Sequence, residues 1–472
     1  MGRTMGTGVC RLLKVQSIMS RNPSQLRQML GAGVAAFLAW DAPAQELAAP
    51  AVDAQNAAAA YELSAGARWS DNYARTPIAN AGAMGTVGAV LDAYRKTGRL
   101  QFDAKANLDY VHYFSGNSKG EVLGYFDGAA TYQLLPQSLN WVMEERFGQV
   151  TTDYFQAPTP QNRQYLNVFN TGPDFRLRLA DALDLRVSGR YGRDDYQTSP
   201  YSARHLKAEA ALERRPSEVA LLSLGGGHER VDYLEDLAKP GNFSVNRYFA
   251  SYRLQGARSS IDLECGYAES QGGLAQLGGA IGHLVLERHI GVASSVHMLA
   301  RRDLATVSEG SRANDYLPGA GGFTPAAIVT GSLYFAESAE VGYTWQRPRT
   351  RFDATVRLAK ETDHHDVRPD RDLKVAGAKL THRLTPLAEA ILYASWTRDL
   401  LHDAQYPGLP VGDFISTETG YGATFRMRLS SDIVTSFDLA HTQRIAAIGQ
   451  YRENAVWLRL AYAPRPTTTP AR

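Results

Sequence analysis

Cysteine is nearly absent: the 472 residues include only Cys10 and Cys265, too few for a disulfide framework. Also missing is any apolar run of 18 residues, which excludes a bundle of membrane-spanning helices. Charge of one sign is not in excess either. Lys and Arg total 50 against 48 Asp and Glu, net +2, with no basic tail or Lys/Arg-rich run, so a nucleic-acid partner is not expected. What is present is 42 Gly, 24 Tyr, 16 Phe and 6 Trp in a chain that is 44% hydrophobic and 21% charged, with a mean hydropathy of −0.30. These totals fit a large soluble all-β or mixed protein, or a sheet that crosses a membrane, whose alternating strands average out to a polar composition.

The N-terminal region sets the expected compartment. Arg21 and Arg27 form a basic stretch, Met29 to Trp40 a short apolar one, and Ala42-Pro43-Ala44 a small-residue cleavage site before Gln45. Residues 1–44 therefore read as a signal peptide region, with Met19 as an alternative start. Its removal takes away five basic side chains (Arg3, Arg11, Lys14, Arg21, Arg27) and one acid (Asp41), which changes the net charge from +2 to −2. It also leaves Cys265 as the one cysteine, so neither a disulfide nor a Cys-based metal site is expected of the exported chain. Residues 45–60 read as an Ala-rich periplasmic stub.

From Tyr61 onward the dominant period is two. Phe102, Ala104, Ala106, Leu108 and Tyr110 share one face while Gln101, Asp103, Lys105, Asn107 and Asp109 share the other. The pattern recurs in Leu183, Leu185, Val187 and Tyr191 against Arg186, Ser188 and Arg190, and again along 352–358, 421–429 and 456–462. Short links rich in Pro, Ser and Asp, such as Leu135-Pro136-Gln137 and Arg215-Pro216-Ser217, alternate with long polar ones, such as Leu304 to Thr324 and Leu400 to Asp413. That rule predicts an all-β fold, a transmembrane up-and-down antiparallel β-barrel of about 20 strands over residues 61–463, or 18 or 16 if weak pairs merge. The weak segments are Gly85–Tyr94 and Gln276–Leu286, and 464–472 is a periplasmic tail. Glu337 falls in phase with Phe335, Val341 and Tyr343, so a bulge or a position above the membrane is expected there. Trp69, Tyr94, Tyr125, Trp141, Tyr191, Tyr252, Trp345, Trp396 and Tyr462 lie toward strand ends, as interfacial aromatics would.

The most functional-looking set is an inward row: Arg176, Arg178, Arg186, Arg190, Arg357, Arg426, Arg428 and Arg459 with Asp103, Asp109, Asp353 and Asp438. Charged rows lining a lumen steer solutes and set ion preference, or pair with one another and stiffen the wall. The loop Glu361 to Asp370 carries His364 and His365 among four acids. It reads as a solvated tip rather than a divalent-metal or lipopolysaccharide-facing site, because adjacent residues in extended chain point apart. His112, His297 and His441 read as ordinary strand residues, Gly225-Gly226-Gly227 as a relief of curvature, and no catalytic, metal or cofactor site is expected.

Trp69-Ser70-Asp71-Asn72-Tyr73-Ala74-Arg75-Thr76-Pro77, Gly189-Arg190-Tyr191-Gly192-Arg193-Asp194-Asp195-Tyr196 and Leu212-Glu213-Arg214-Arg215-Pro216-Ser217 carry a resemblance. They resemble strand ends of an outer-membrane barrel family linked to exopolysaccharide and exosortase gene clusters, which is porin-like and uncharacterised. The resemblance covers the layout of most of 61–463 and implies a non-enzymatic conduit or export component in a Gram-negative outer membrane. Its expected partners are outer-membrane lipids and lipopolysaccharide, polysaccharide or small polar solutes, and the barrel assembly machinery. Two alternatives stay open: a lipid- or lipopolysaccharide-modifying enzyme, and a surface interaction barrel acting through its long loops. Unlike polysaccharide-specific porins, the chain shows no periplasmic helical repeat, and no plug-sized segment of a TonB-type receptor precedes the first strand. Mass spectrometry of the protein from outer-membrane fractions should find an N-terminus at Gln45; one at Met1 or Met19 would contradict the signal assignment.

Overall fold

The structure, a computed structural model, describes residues 57–114, 120–153, 155–236, 241–273, 276–306, 333–363, 369–406 and 410–464. The expected signal region, the stub up to residue 56, His364 and His365, most of the Leu304–Thr324 link and residues 465–472 lie outside them. Twenty strands follow one another: β1 Ala57–Ser70, β2 Gly82–Arg95, β3 Leu100–Tyr113, β4 Glu121–Leu135, β5 Leu139–Thr151, β6 Arg163–Ala180 and β7 Leu183–Tyr196. Next come β8 Ala203–Ser217, β9 Ala220–Tyr233, β10 Phe243–Gln255, β11 Ser259–Gly272, β12 Gly278–His289, β13 Ser294–Ala305 and β14 Tyr334–Gln346. The series closes with β15 Thr350–Thr362, β16 Arg371–Arg383, β17 Ala388–Ala404, β18 Gly412–Arg428, β19 Ile433–Ala446 and β20 Tyr451–Tyr462.

Each strand pairs antiparallel with the next, and β1 pairs antiparallel with β20, so the sheet is a closed barrel of the expected strand number. Both weak segments are full strands, β2 and β12. β1 begins at Ala57, four residues before the alternation becomes legible, because Ala57–Ala60 extend the ladder against Asp92–Arg95 without contrasting side chains. Links of two to four residues gather at one end, the turn end, and links of four to 28 residues at the other, the loop end. Following the registers once round the sheet returns to β1 displaced by about 26 residues; with twenty strands that stagger gives a tilt of about 40–45° and a width of about 40 Å between backbones. Wall side chains alone do not fill such a width.

Residues paired across a ladder share a face, so the two rows can be traced strand by strand. One row holds Val87, Leu224 and Leu458, which expose 62, 65 and 58% of their surface, and with them Trp69, Phe425 and Tyr462. The other row makes side-chain bonds that skip strands, such as Arg459 on β20 to Asp109 on β3 at 3.4 Å, which only a concave inner face permits. The apolar row therefore faces outward and the charged row faces the lumen. Tyr94 and Tyr125 fall on the inner row, so these two are not interfacial anchors; an end position does not determine which face a ring takes. Glu337 is on the outer row without any bulge, near the loop end, and forms a 2.9 Å pair with Arg302. A Cβ on Gly225 would stand 2.7 Å from both the Ala210 carbonyl oxygen and the Phe249 ring, so this position gives room to its neighbours.

The seam is clamped by the segment that follows β1. Glu453 accepts from Arg68 at 2.7 Å, Ser70 at 2.8 Å and Arg75 at 2.9 Å, and Asp71 accepts from the backbone N and Nδ2 of Asn454 at 2.7 and 2.6 Å. Asn72 Nδ2 donates to Arg452 O at 3.0 Å and Thr76 O at 2.8 Å. Glu453→Gln removes a buried charge that two arginines share, so it should lower unfolding stability by about 3 kcal/mol. Urea titration of the folded, heat-modifiable band on gels would check this, and an unchanged midpoint would contradict the clamp.

Candidate functional site in the lumen

Among the described residues, the inner face carries an ionic ladder on β6 to β9, an ionic network beside the seam, and an apolar constriction. On β6 to β9 the charges form a ladder. Starting from the turn end, Asp184 accepts from Arg215 at 2.8 Å and lies 3.6 Å from Arg178 and 4.0 Å from Arg176. Arg176 donates to Glu213 at 3.1 Å, and Arg186 joins Glu213 at 3.2 Å to Glu209 at 2.9 Å. Higher up, Arg190 meets Asp174 at 2.7 Å, and His205 stands between Asp194 at 2.8 Å and Glu229 at 3.0 Å. Alternation puts these groups on one face, and the antiparallel register puts Asp174 of β6 near Arg190 of β7, and Arg176 and Arg178 of β6 near Asp184 of β7. Part of the ladder lines a cavity of 240 Å³ that includes Glu144, Asn170, Ser188 and Lys207.

The second network lies beside the seam. Asp109 reaches Arg459 because the strands between them are thin at this level: a Cβ on Gly88 would lie 2.1 Å from Asp109 Oδ1, and one on Gly66 would lie 3.1 Å from Trp457 Nε1. The guanidinium of Arg459 sits 3.9 Å over the Trp457 ring, and Arg426 pairs with Glu62 across β19 and β20. Thus Arg176, Arg178, Arg186, Arg190, Arg426 and Arg459 each meet a carboxylate, but among the described residues only Asp109 of the four predicted aspartates forms an ion pair with one of the predicted arginines. The structure does not assemble the rest into one ring. Asp353 is held by Arg351 at 2.8 Å, Asp438 bonds Thr424, Arg428 donates to Ala463 O at 3.1 Å near the β18–β19 turn, Arg357 is buried, and Asp103 stands exposed on the inner face. Sequence reading missed Asp184, Glu209, Glu213, Asp194, His205 and Glu229. Their signal was available: each is in phase with the arginines of its own or the neighbouring strand.

At the loop end the lumen is narrowed by the chain itself. The β12–β13 ladder stops at Gly282 and Arg302, although β12 starts at Gly278 and β13 runs on to Ala305. Beyond that point β13 parts from β12, while β14 stays paired with β15 as far as Phe335 and Thr362, and the β13–β14 end leans into the lumen. Leu304 and Phe335, outward by phase, pack with the inner-row residues Val231, Phe243, Val245, Ala268 and Ile281. Ala305 and Tyr334, inward by phase, pack with Val150, Leu166, Val168 and Tyr196 of β5 to β7. The tip is therefore held between two stretches of inner wall, and Arg247 on β10 donates to Asp303 at 2.6 Å to tether it. From the other side, residues 155–162 cross the mouth. Phe155 packs against Leu401, Ala404 and Phe414, and its carbonyl accepts from Arg444 at 3.0 Å. Asn162 staples this segment through bonds to Asp153 and Ala157.

A closed antiparallel sheet with an apolar outer row and a paired, charged inner row is a membrane-spanning β-barrel. No family profile and no curated protein matches the sequence. Among solved structures, the chain is similar to the siderophore receptor PirA from Pseudomonas aeruginosa, at 11% identity over 85% of this chain and 80% of that one, TM-score 0.41. It is also similar to the FrpB iron transporter from Neisseria meningitidis (8% identity, 86% and 81% covered, TM-score 0.40) and to OccK2 (OpdF) from Pseudomonas aeruginosa (8%, 87% and 98%, TM-score 0.35).

The ladder makes a measurable prediction. Arg186→Gln leaves Glu209 without its arginine and Glu213 with one fewer, so the reversal potential under a salt gradient in planar bilayers should shift toward cation preference. An unchanged reversal potential would remove the ladder from the ion path.

Proposed function

We propose that the protein is a non-enzymatic outer-membrane conduit or export component for polar solutes, exopolysaccharide segments among them, with a mouth narrowed by its own chain. The observation that carries this reading is the ladder from Asp184 to His205. Arginines and carboxylates held side by side along the inner wall offer a donor and an acceptor at each level, which suits a hydroxyl-rich or uronate-bearing chain. The wide lumen supports passage, and the outward apolar row supports the outer membrane as its location. The resemblance of Trp69–Pro77 and Gly189–Tyr196 to barrels of exopolysaccharide clusters supports the choice of polysaccharide. His205 favours a conduit over a hydrolase, because both its ring nitrogens are occupied by carboxylates and neither is left to activate a nucleophile.

Planar-bilayer recording tests the reading. The expected result is a conducting channel whose current is blocked reversibly by an oligouronate and much less by a neutral oligosaccharide of equal length. A protein that inserts but conducts at no voltage would count against a conduit. Asp303→Ala loosens the tip by removing the acceptor of Arg247 and Arg301, and should raise conductance.

A further inference from the structure

The parting of β13 from β12, with the β13–β14 end leaning inward, has an effect on the outside of the barrel. It leaves a groove of 740 Å³, lined at its floor by the outward residues Leu263, Ala280, Leu284, Ala300 and Leu358. Its rim lies toward the loop end, where the outer row changes from apolar to charged. One cross-strand row there reads Arg302, Glu337, Lys360 and Asp372, and the next row toward the turn end reads Ala300, Ala339, Leu358 and Lys374. The acids at this rim are already engaged: Glu337 by Arg302 at 2.9 Å and Asp372 by His402 at 3.1 Å. Lys360 and Lys374 have no ion-pair partner among the described residues. They are diagonal neighbours on β15 and β16, about 7–8 Å apart at their backbones, close enough for two ammonium groups to grip one phosphate.

We propose that this groove seats a phosphorylated lipid of the outer leaflet, of the lipid A type. One acyl chain would lie along the apolar floor and a phosphate would rest on Lys360 and Lys374. Charge complementarity is joined here to an apolar slot. An acyl chain alone explains the floor but leaves two ammonium groups without an ion-pair partner among the described residues, and free phosphate explains the ammonium groups but leaves the slot open. A lipid carrying both satisfies both. The inference rests on the outer-membrane reading but not on conduction, so a barrel with no measurable current could still hold the lipid.

The experiment uses the full-length chain, delipidated in detergent, with retention read by native mass spectrometry. The probes are diphosphoryl lipid A, phosphatidylethanolamine and inorganic phosphate. The parent should retain lipid A well above phosphatidylethanolamine and should not retain inorganic phosphate. Lys360→Gln/Lys374→Gln should lower lipid A retention about tenfold, given two cations at an anionic headgroup. Ala300→Trp keeps every charge and fills the floor, and it should lower retention as well. Heat-modifiable migration on gels confirms that each variant is a folded barrel. Equal retention by parent and both variants would overturn the proposal in favour of unspecific annular lipid. Competition by inorganic phosphate at equal concentration would overturn it in favour of a simple ion site.

Discussion

In a bilayer no backbone amide can be left to water, so the whole fold depends on the sheet closing on itself. Closure falls on the β1–β20 ladder, which pairs eight residues from Leu63 to Ser70, whereas β1 pairs fourteen with β2. The missing length is offset by polar side chains beyond the ladder. Glu453 gathers Arg68, Ser70 and Arg75, and Asp71 and Asn72 hold the start of β20 from the other side. The tripeptide Ser70-Asp71-Asn72, part of the strand end that carries the family resemblance, is thus the fastening of the barrel. Its residue types follow from that task, since a fastening between first and last strands needs short side chains with fixed donors and acceptors.

A second ladder is equally short. β12 and β13 share eight pairs, and here no polar clamp completes the wall. The β13–β14 tip instead turns inward and buries apolar groups against both sides of the lumen. Leu304 and Phe335 go to one side, Ala305 and Tyr334 to the other. Hydrophobic burial at the loop end therefore does what a plug would do in a barrel of this width. The turn end differs in kind, with its inner face governed by arginine and carboxylate pairs. The parting of β13 from β12 accounts for three features together: the narrowed mouth, the sheltered ionic ladder beneath it, and the groove outside.

Much of this was legible in the sequence, and the reason is the strict period of two. Alternation led to a barrel of about 20 strands, with only the segments of β2 and β12 weak, and the short links such as Leu135-Pro136-Gln137 marked the turn end. The same period put Arg186 and Arg190 on the inner face, because the phase of one side chain fixes that of its whole strand. What it could not give is partnership across strands. The acids that meet these arginines come from β6 and β8 through register, and register is set by the closing of the whole sheet. Tyr94 and Tyr125 were misread for a related reason: position along a strand says nothing of face unless the phase is followed. The inward turn of Leu304 and Phe335 was hidden altogether. Their phase is outward and apolar, which is what a lipid-facing residue also shows, and only the early end of the β12–β13 ladder distinguishes the two.

The central claim is that the β13–β14 tip lies inside the lumen against β6, and proximity across the barrel tests it most directly. With Cys265 replaced by Ser, cysteines at Val168 and Tyr334 should be joined rapidly by a short bifunctional thiol reagent, giving one internally cross-linked species in the folded, membrane-inserted protein. If both cysteines react singly and no cross-link forms, the tip stands away from β6, and this account of the mouth and of the groove behind it is contradicted.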